Sequence, residues 1–257
     1  MTSNEGQGSK ERGRVRVEQG EKRVRAFVDG IAVADTSHPV LVWESPAFPA
    51  YYFPEADVRT DLLVATDTVT HSPSRGDARH FTVKLGGAER VDAAWQYADS
   101  PMEELRGLIR FDWRAIDAWF EEDEEVYGHP RDPYTRVDIL PSSRNVRVEL
   151  DGVVLAESDR ARVLFETGLP ARWYVPKTDV RLDLLVPTDT SSFCPYKGQA
   201  EYWSARIGER LEPDLVWSYR TPLPESERVA GLMSFYNERV DLIVDGERRE
   251  RPHTKFS

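Results

Sequence analysis

One cysteine, three methionines and five histidines are all that this chain offers toward thiol, thioether or imidazole chemistry. A lone Cys194 forms no internal disulfide and no Cys-x-x-Cys knuckle, so a disulfide-stapled or thiolate-zinc domain is excluded and no metal is expected. No apolar run approaches the roughly 20 residues that a membrane-crossing helix needs. Basic residues are outnumbered, 34 Lys and Arg against 45 Asp and Glu, for a net charge of −11. Broad binding to nucleic acid or an anionic membrane relies on clustered basic residues, so neither partner is expected. No Gly-rich nucleotide loop, metal-binding His pair or Ser-His-Asp order is visible. The start, MTSNEGQGSKERGR, lacks the apolar core of a secretion signal, so residues 1–13 read as a polar tail and the expected compartment is the cytoplasm.

What the chain does contain is itself, twice. VRAFVDG (24–30) recurs as VRVELDG (146–152), a shift of 122. The same shift carries DVRTDLL (57–63) onto DVRLDLL (179–185), TDT (66–68) onto TDT (188–190), and Pro73 and Gly76 onto Pro195 and Gly198. Trp95 and Tyr97 land on Trp217 and Tyr219 without a gap; beyond them the spacing slips by two, GLIRF (107–111) meeting GLMSF (231–235). With 40% hydrophobic residues each copy has enough apolar side chains for a core. The domains are therefore read as 14–124 and 142–257. The acidic, Gly- and Pro-interrupted stretch 125–141 reads as a connector rich in hydrogen-bonding groups.

The texture within each repeat is β. VRVELDGVVLAES gathers β-branched residues around an Asp-Gly turn, a strong hairpin signal. RVLFET, RWYVP, VRLDLLVP, AEYWSARI and DLVWSY continue as short strands. Residues 101–122 place apolar side chains on one helical face, but their counterpart has strand character, so this segment reads as a strand or a short helix. The fold class expected is mainly β, in two tandem small domains.

One loop stands out. TDTSSFCPYKGQAEYW (188–203) places Cys194 three residues before Lys197, between two strand-like segments. CPYKG, preceded by YVPKTDVRLDLL and followed by AEYW and VWSY, resembles the family catalogued as domain of unknown function 427, which sometimes carries a nucleotidyltransferase-like label. The resemblance covers about residues 24–120 and 146–247. It implies a small β-tent like that of the methionine sulfoxide reductase B proteins: antiparallel sheets meeting at an angle over a groove, here without the zinc of many relatives. Nucleotidyl transfer needs carboxylates that hold Mg²⁺ against phosphates. Asp179 and Asp183 are present, but no Gly-Ser loop followed by an Asp-x-Asp pair, so the label carries little weight and no cofactor is expected.

The first repeat has Ser72, Ser74, Arg75 and His80 opposite Cys194, Tyr196, Lys197 and Tyr202. The candidate site therefore belongs to the second copy. Cys194 reads either as a thiolate activated by Lys197 or as a small buried hydrophobe. Lys197 reads as an anion- or carbonyl-binding group or as a solvated loop lysine. Tyr196, Tyr202, Trp217 and Tyr219 line an aromatic pocket in one reading and form core packing in the other. Arg181 and Glu166 complete the candidate set. Asp179 and Arg181 are expected on one strand face, and their recurrence as Asp57 and Arg59 favours a structural ion pair or a turn-capping role.

Three functions compete. The preferred one is a module that binds a small anionic or carbonyl-containing ligand in the aromatic pocket of the second repeat. The alternatives are an enzyme using Cys194 and Lys197, in transferase-like or carbonyl chemistry, and a protein-interaction scaffold. The sequence leaves oligomeric state open.

Overall fold

The computed structural model describes residues 15–254 and 256–257; the expected tail over 1–13 lies outside them. The chain divides into two compact units between Pro130 and Arg131. Among the described residues no helix is long and apolar enough to cross a membrane.

The first unit contains β1 (Arg16–Gln19), β2 (Val24–Val28), β3 (Ile31–Thr36), β4 (Val40–Trp43), β5 (Ala50–Pro54) and β6 (Leu63–Ser72). It continues with β7 (Gly76–Leu85), β8 (Ala88–Gln96), β9 (Leu108–Phe111), β10 (Ala118–Glu121) and β11 (Glu124–Glu125). The second unit repeats this series as β12 (Val137–Pro141), β13 (Val146–Leu150), β14 (Val153–Ser158), β15 (Arg162–Glu166), β16 (Arg172–Val175) and β17 (Leu185–Cys194). Then come β18 (Gly198–Ile207), β19 (Arg210–Tyr219), β20 (Met233–Phe235), β21 (Asp241–Val244) and β22 (Glu247–Arg248). Each unit is a seven-stranded and a four-stranded sheet: β1-β4-β5-β9-β8-β7-β6 with β11-β10-β2-β3, and β12-β15-β16-β20-β19-β18-β17 with β14-β13-β21-β22. The fold is mainly β, in two tandem β domains of antiparallel sheets.

Local sequence explains the elements. VRAFV and VRVEL alternate buried and half-buried positions, as strands with one face on a core must. Asp29-Gly30 and Asp151-Gly152 turn the chain with both residues at positive φ, which Asp tolerates and Gly favours. The ambiguous segment 101–122 becomes a 3-10 turn (Glu103–Leu105) followed by β9 and β10. Residues 137–141, inside the stretch read as a connector, form β12 and pair with β15 from Val137↔Glu166 to Pro141↔Arg162.

Alternation along the strands gives the second unit's large sheet two apolar faces. Val163, Trp173, Val216 and Phe235 join Leu242 and Val244 of the smaller sheet in the main core. Leu164, Tyr174, Trp217 and Tyr219 face the other way, with Ile139 of β12 and Val229 of the 3-10 helix Pro224–Val229. The candidate site lies on this second face.

Candidate functional site

The loop that carries the site is held from both ends. The Lys197 N–H donates to Cys194 O (3.3 Å) and closes the turn of the β17–β18 hairpin. Gly198 follows with φ +90°, a conformation that side chains with a Cβ rarely adopt. Leu223 N–H donates to Lys197 O (3.2 Å) and the Ser226 hydroxyl to Tyr196 O (3.0 Å), so the 3-10 helix clamps the turn. The backbone N–H of Asp132 donates to the Tyr196 hydroxyl (2.6 Å), which ties the stretch before β12 to the same turn.

At the centre, Lys197 Nζ donates to Glu166 Oε2 at 2.5 Å, with 9% and 10% of the two side chains exposed. Glu166 ends β15, and the register that places it there comes from β12. A lysine ammonium has three donors; one goes to Glu166, and the others have no acceptor among the described residues. Around the pair stand Tyr174, Trp217 and Tyr219, all buried. The Trp217 indole N–H donates to the Tyr174 hydroxyl (3.0 Å). Burial pushes the Tyr219 and Tyr174 phenols well above their usual range, and the Cys194 sulfur and Glu166 carboxylate beside them add to it. Burial likewise raises Tyr196. Both phenols therefore stay neutral at any physiological pH and act as hydrogen-bonding groups.

The six other residues predicted for the site fall out unevenly around Lys197 and Glu166. Cys194 and Tyr196 share the turn with Lys197; Trp217 and Tyr219 form the wall. Tyr202 is half-buried and bonded to Ser192 (2.7 Å). Arg181 does not join them: it sits after a 3-10 turn, exposed, in a forked pair with Asp183 (2.6 and 2.8 Å). Asp179 and Arg181 do not share a strand face either: Asp179 ends the 3-10 turn Lys177–Asp179 and Arg181 is the N-cap of the next, Leu182–Leu184, so neither lies on a strand. Asp179 instead receives the Ser158 hydroxyl and Arg160 guanidinium.

Two features escaped the sequence reading. Arg172 is buried in a bidentate pair with Glu238 (2.7 Å each) and lies over the Trp217 ring at 5.6 Å. Its only signal was a charged residue two positions before Tyr174 on a strand; its partner is 66 residues away. Ser234 of β20 is fully buried beside Tyr174 and Trp217, and its hydroxyl has no partner among the described residues.

The first unit keeps more than a scaffold at the matching place. Glu44, the counterpart of Glu166, receives the Tyr52 hydroxyl and Arg110 (2.5 Å), with Arg75 at 3.8 Å. Arg110 occupies the position of Ser234 and lies over Trp95 at 4.5 Å. A carboxylate and cations thus persist in both copies, while their arrangement changes. Among the described residues no three His, Cys, Asp or Glu side chains converge as a metal site requires.

No curated protein matches this chain at a significant level. A family model does, and it matches twice, over residues 16–122 and 138–246. The second match opens inside β12, in keeping with that strand's place in the second sheet. The chain belongs to the family described as domain of unknown function (DUF427), of which it carries two tandem copies.

Proposed function

We propose that this protein is a small-molecule-binding module whose second repeat receives an anionic or carbonyl oxygen at Lys197. The observation that supports this reading is the near-buried ammonium with donors to spare, enclosed by neutral phenols and an indole. A buried cation is costly unless its donors are satisfied. A ligand oxygen entering from the half-buried side, past Tyr202 and Cys194, supplies the missing acceptor. Glu166 holds the ammonium in place, and Trp217 and Tyr219 give the ligand an apolar wall. No metal or redox group enters this account.

A thermal-shift screen of small carboxylates, aldehydes and ketones tests it. The expected result is a set of stabilising ligands whose effect disappears in Lys197→Met and is weakened in Lys197→Arg, since the first repeat already carries Arg75 at this place. Ligands that stabilise Lys197→Met as well as the wild type overturn the placement. Covalent chemistry at the same site is a second reading, favoured by one observation: Cys194 is half-buried and shares its turn with Lys197. Rapid iodoacetamide alkylation of Cys194 near neutral pH supports that reading, and an inert thiol removes it.

A further inference from the structure

The second repeat has a groove on the opposite side of its large sheet, lined by residues of β12, β15 and β16 and of β21 in the smaller sheet. It encloses about 480 Å³, within the roughly 300–1,000 Å³ typical of ligand pockets. Its walls are largely apolar: Trp173, Val163, Phe165, Leu140, Leu242 and Val244. Asn237 forms a polar edge, and Arg144 lies over the Trp173 ring at 5.8 Å.

The first repeat carries the same frame with a different filling. Strand pairing matches Trp173 to Tyr51, Leu242 to Trp119 and Val244 to Glu121, and the Tyr236 turn matches Asn237 to Trp113. There the Trp113 indole lies flat on Trp119, centroids 4.7 Å apart and planes 5° from parallel, with Tyr51 6.2 Å away. Glu121 is buried and joins Lys22 (2.6 Å) to the Tyr51 hydroxyl (2.5 Å) across the neighbouring space. In the second repeat each of these groups is replaced. Asn237 turns its Nδ2 onto Ala171 O (2.9 Å), Val244 has no carboxylate, and Arg144 is drawn to Asp245 (2.6 Å). The Asn237 Oδ1 has no donor among the described residues.

The first repeat thus shows, in its own chain, what this frame accommodates: a flat bicyclic aromatic ring. We infer that the groove of the second repeat is a binding site for a small molecule built on such a ring. The ring takes the place that Trp113 fills in the first copy. It lies against Leu242 and Trp173, with an N–H directed to Asn237 Oδ1. Large flat rings in apolar clefts gain from area burial and from offset or edge contacts with other rings. This site is distinct from Lys197, on the other face of the sheet, and stands or falls separately.

Indole is the probe, titrated into the full-length, ¹⁵N-labelled protein and followed by amide and indole N–H resonances. The expected result is saturable binding, with shifts centred on Trp173, Asn237 and β21. Asn237→Trp, which rebuilds the first repeat's filling, is expected to weaken binding by about tenfold or more. Leu140→Trp covers the groove from an exposed rim position and is expected to do the same; it decides the question if Asn237→Trp fails to fold. Non-saturating shifts, or binding unchanged by both tryptophan variants, would each overturn the inference.

Discussion

At Lys197 and Glu166 two opposite charges sit together with only about a tenth of each side chain in water. Desolvation of both groups opposes their attraction, so the pair adds little net stability while each member depends on the other. Glu166→Gln or Lys197→Met is therefore expected to cost about 3–5 kcal/mol in urea unfolding. The double variant Glu166→Leu/Lys197→Met is expected to recover much of it. Arg181→Ala breaks a pair already in solvent and is expected to change stability little, because water screens exposed partners. Asp179 makes a pH prediction. The hydrogen bond from Arg160 holds its carboxyl well below the usual carboxylate range, against the cost of burial, with Ser158 and Thr178 adding to it. A carboxyl whose folded pKa lies below its unfolded value contributes stability above the unfolded value, and loses it as pH falls through the folded one. Melting temperature of the wild type should thus fall as pH drops below about 4, and Asp179→Asn should flatten that decline. An Asn variant with the same slope would show that Asp179 contributes nothing there.

Among the elements, the long hairpins that carry the site owe their bend to a repeated device. The TDT threonines of each repeat reach across to an aspartate on the strand after next: Thr66 and Thr68 to Asp92, Thr188 and Thr190 to Asp214, at 2.7 and 2.8 Å in both cases. Both aspartates have positive φ, 51° and 46°, and sit where the strand register shifts. This is a β-bulge pinned by side chains, which increases local twist. TDT recurs in the sequence because each threonine hydroxyl has a fixed acceptor. Asp214→Gly should lose the two hydrogen bonds and keep the backbone freedom. Asp214→Ala should lose both, and be less stable than Asp214→Gly by about 1 kcal/mol in urea unfolding. Equal stability of the two variants would show that the positive φ carries no strain.

For the whole molecule, the question is where one domain stops. Residues 131–257 form a compact unit with its own core, and β12 supplies Ile139 to the face that holds the site. A fragment of residues 131–257 should unfold cooperatively by itself. One beginning at residue 142 lacks β12, exposes β15, and should be markedly less stable or fail to fold. Equal stability of the two fragments would place the start of the domain after Pro141.

The duplication was legible in the sequence because whole segments recur at one shift of 122; the β texture and the Asp-Gly hairpins were legible because each is a period-two pattern or a turn preference that a few neighbouring residues set. That the two copies diverge at the CPYKG loop was legible too. What only the tertiary structure decided are the pairings across the sheet. Lys197 meets Glu166 across 31 residues and Arg172 meets Glu238 across 66, brought together by strand order rather than by spacing. Arg181 fell outside the site for a local reason: it is the N-cap of the 3-10 turn Leu182–Leu184 and pairs with Asp183 two residues on. The exchange of Trp113 for Asn237 reads in sequence as one unremarkable difference. Packed between two sheets, it separates a filled groove from an open one, because a ring that size either occupies the space or leaves it.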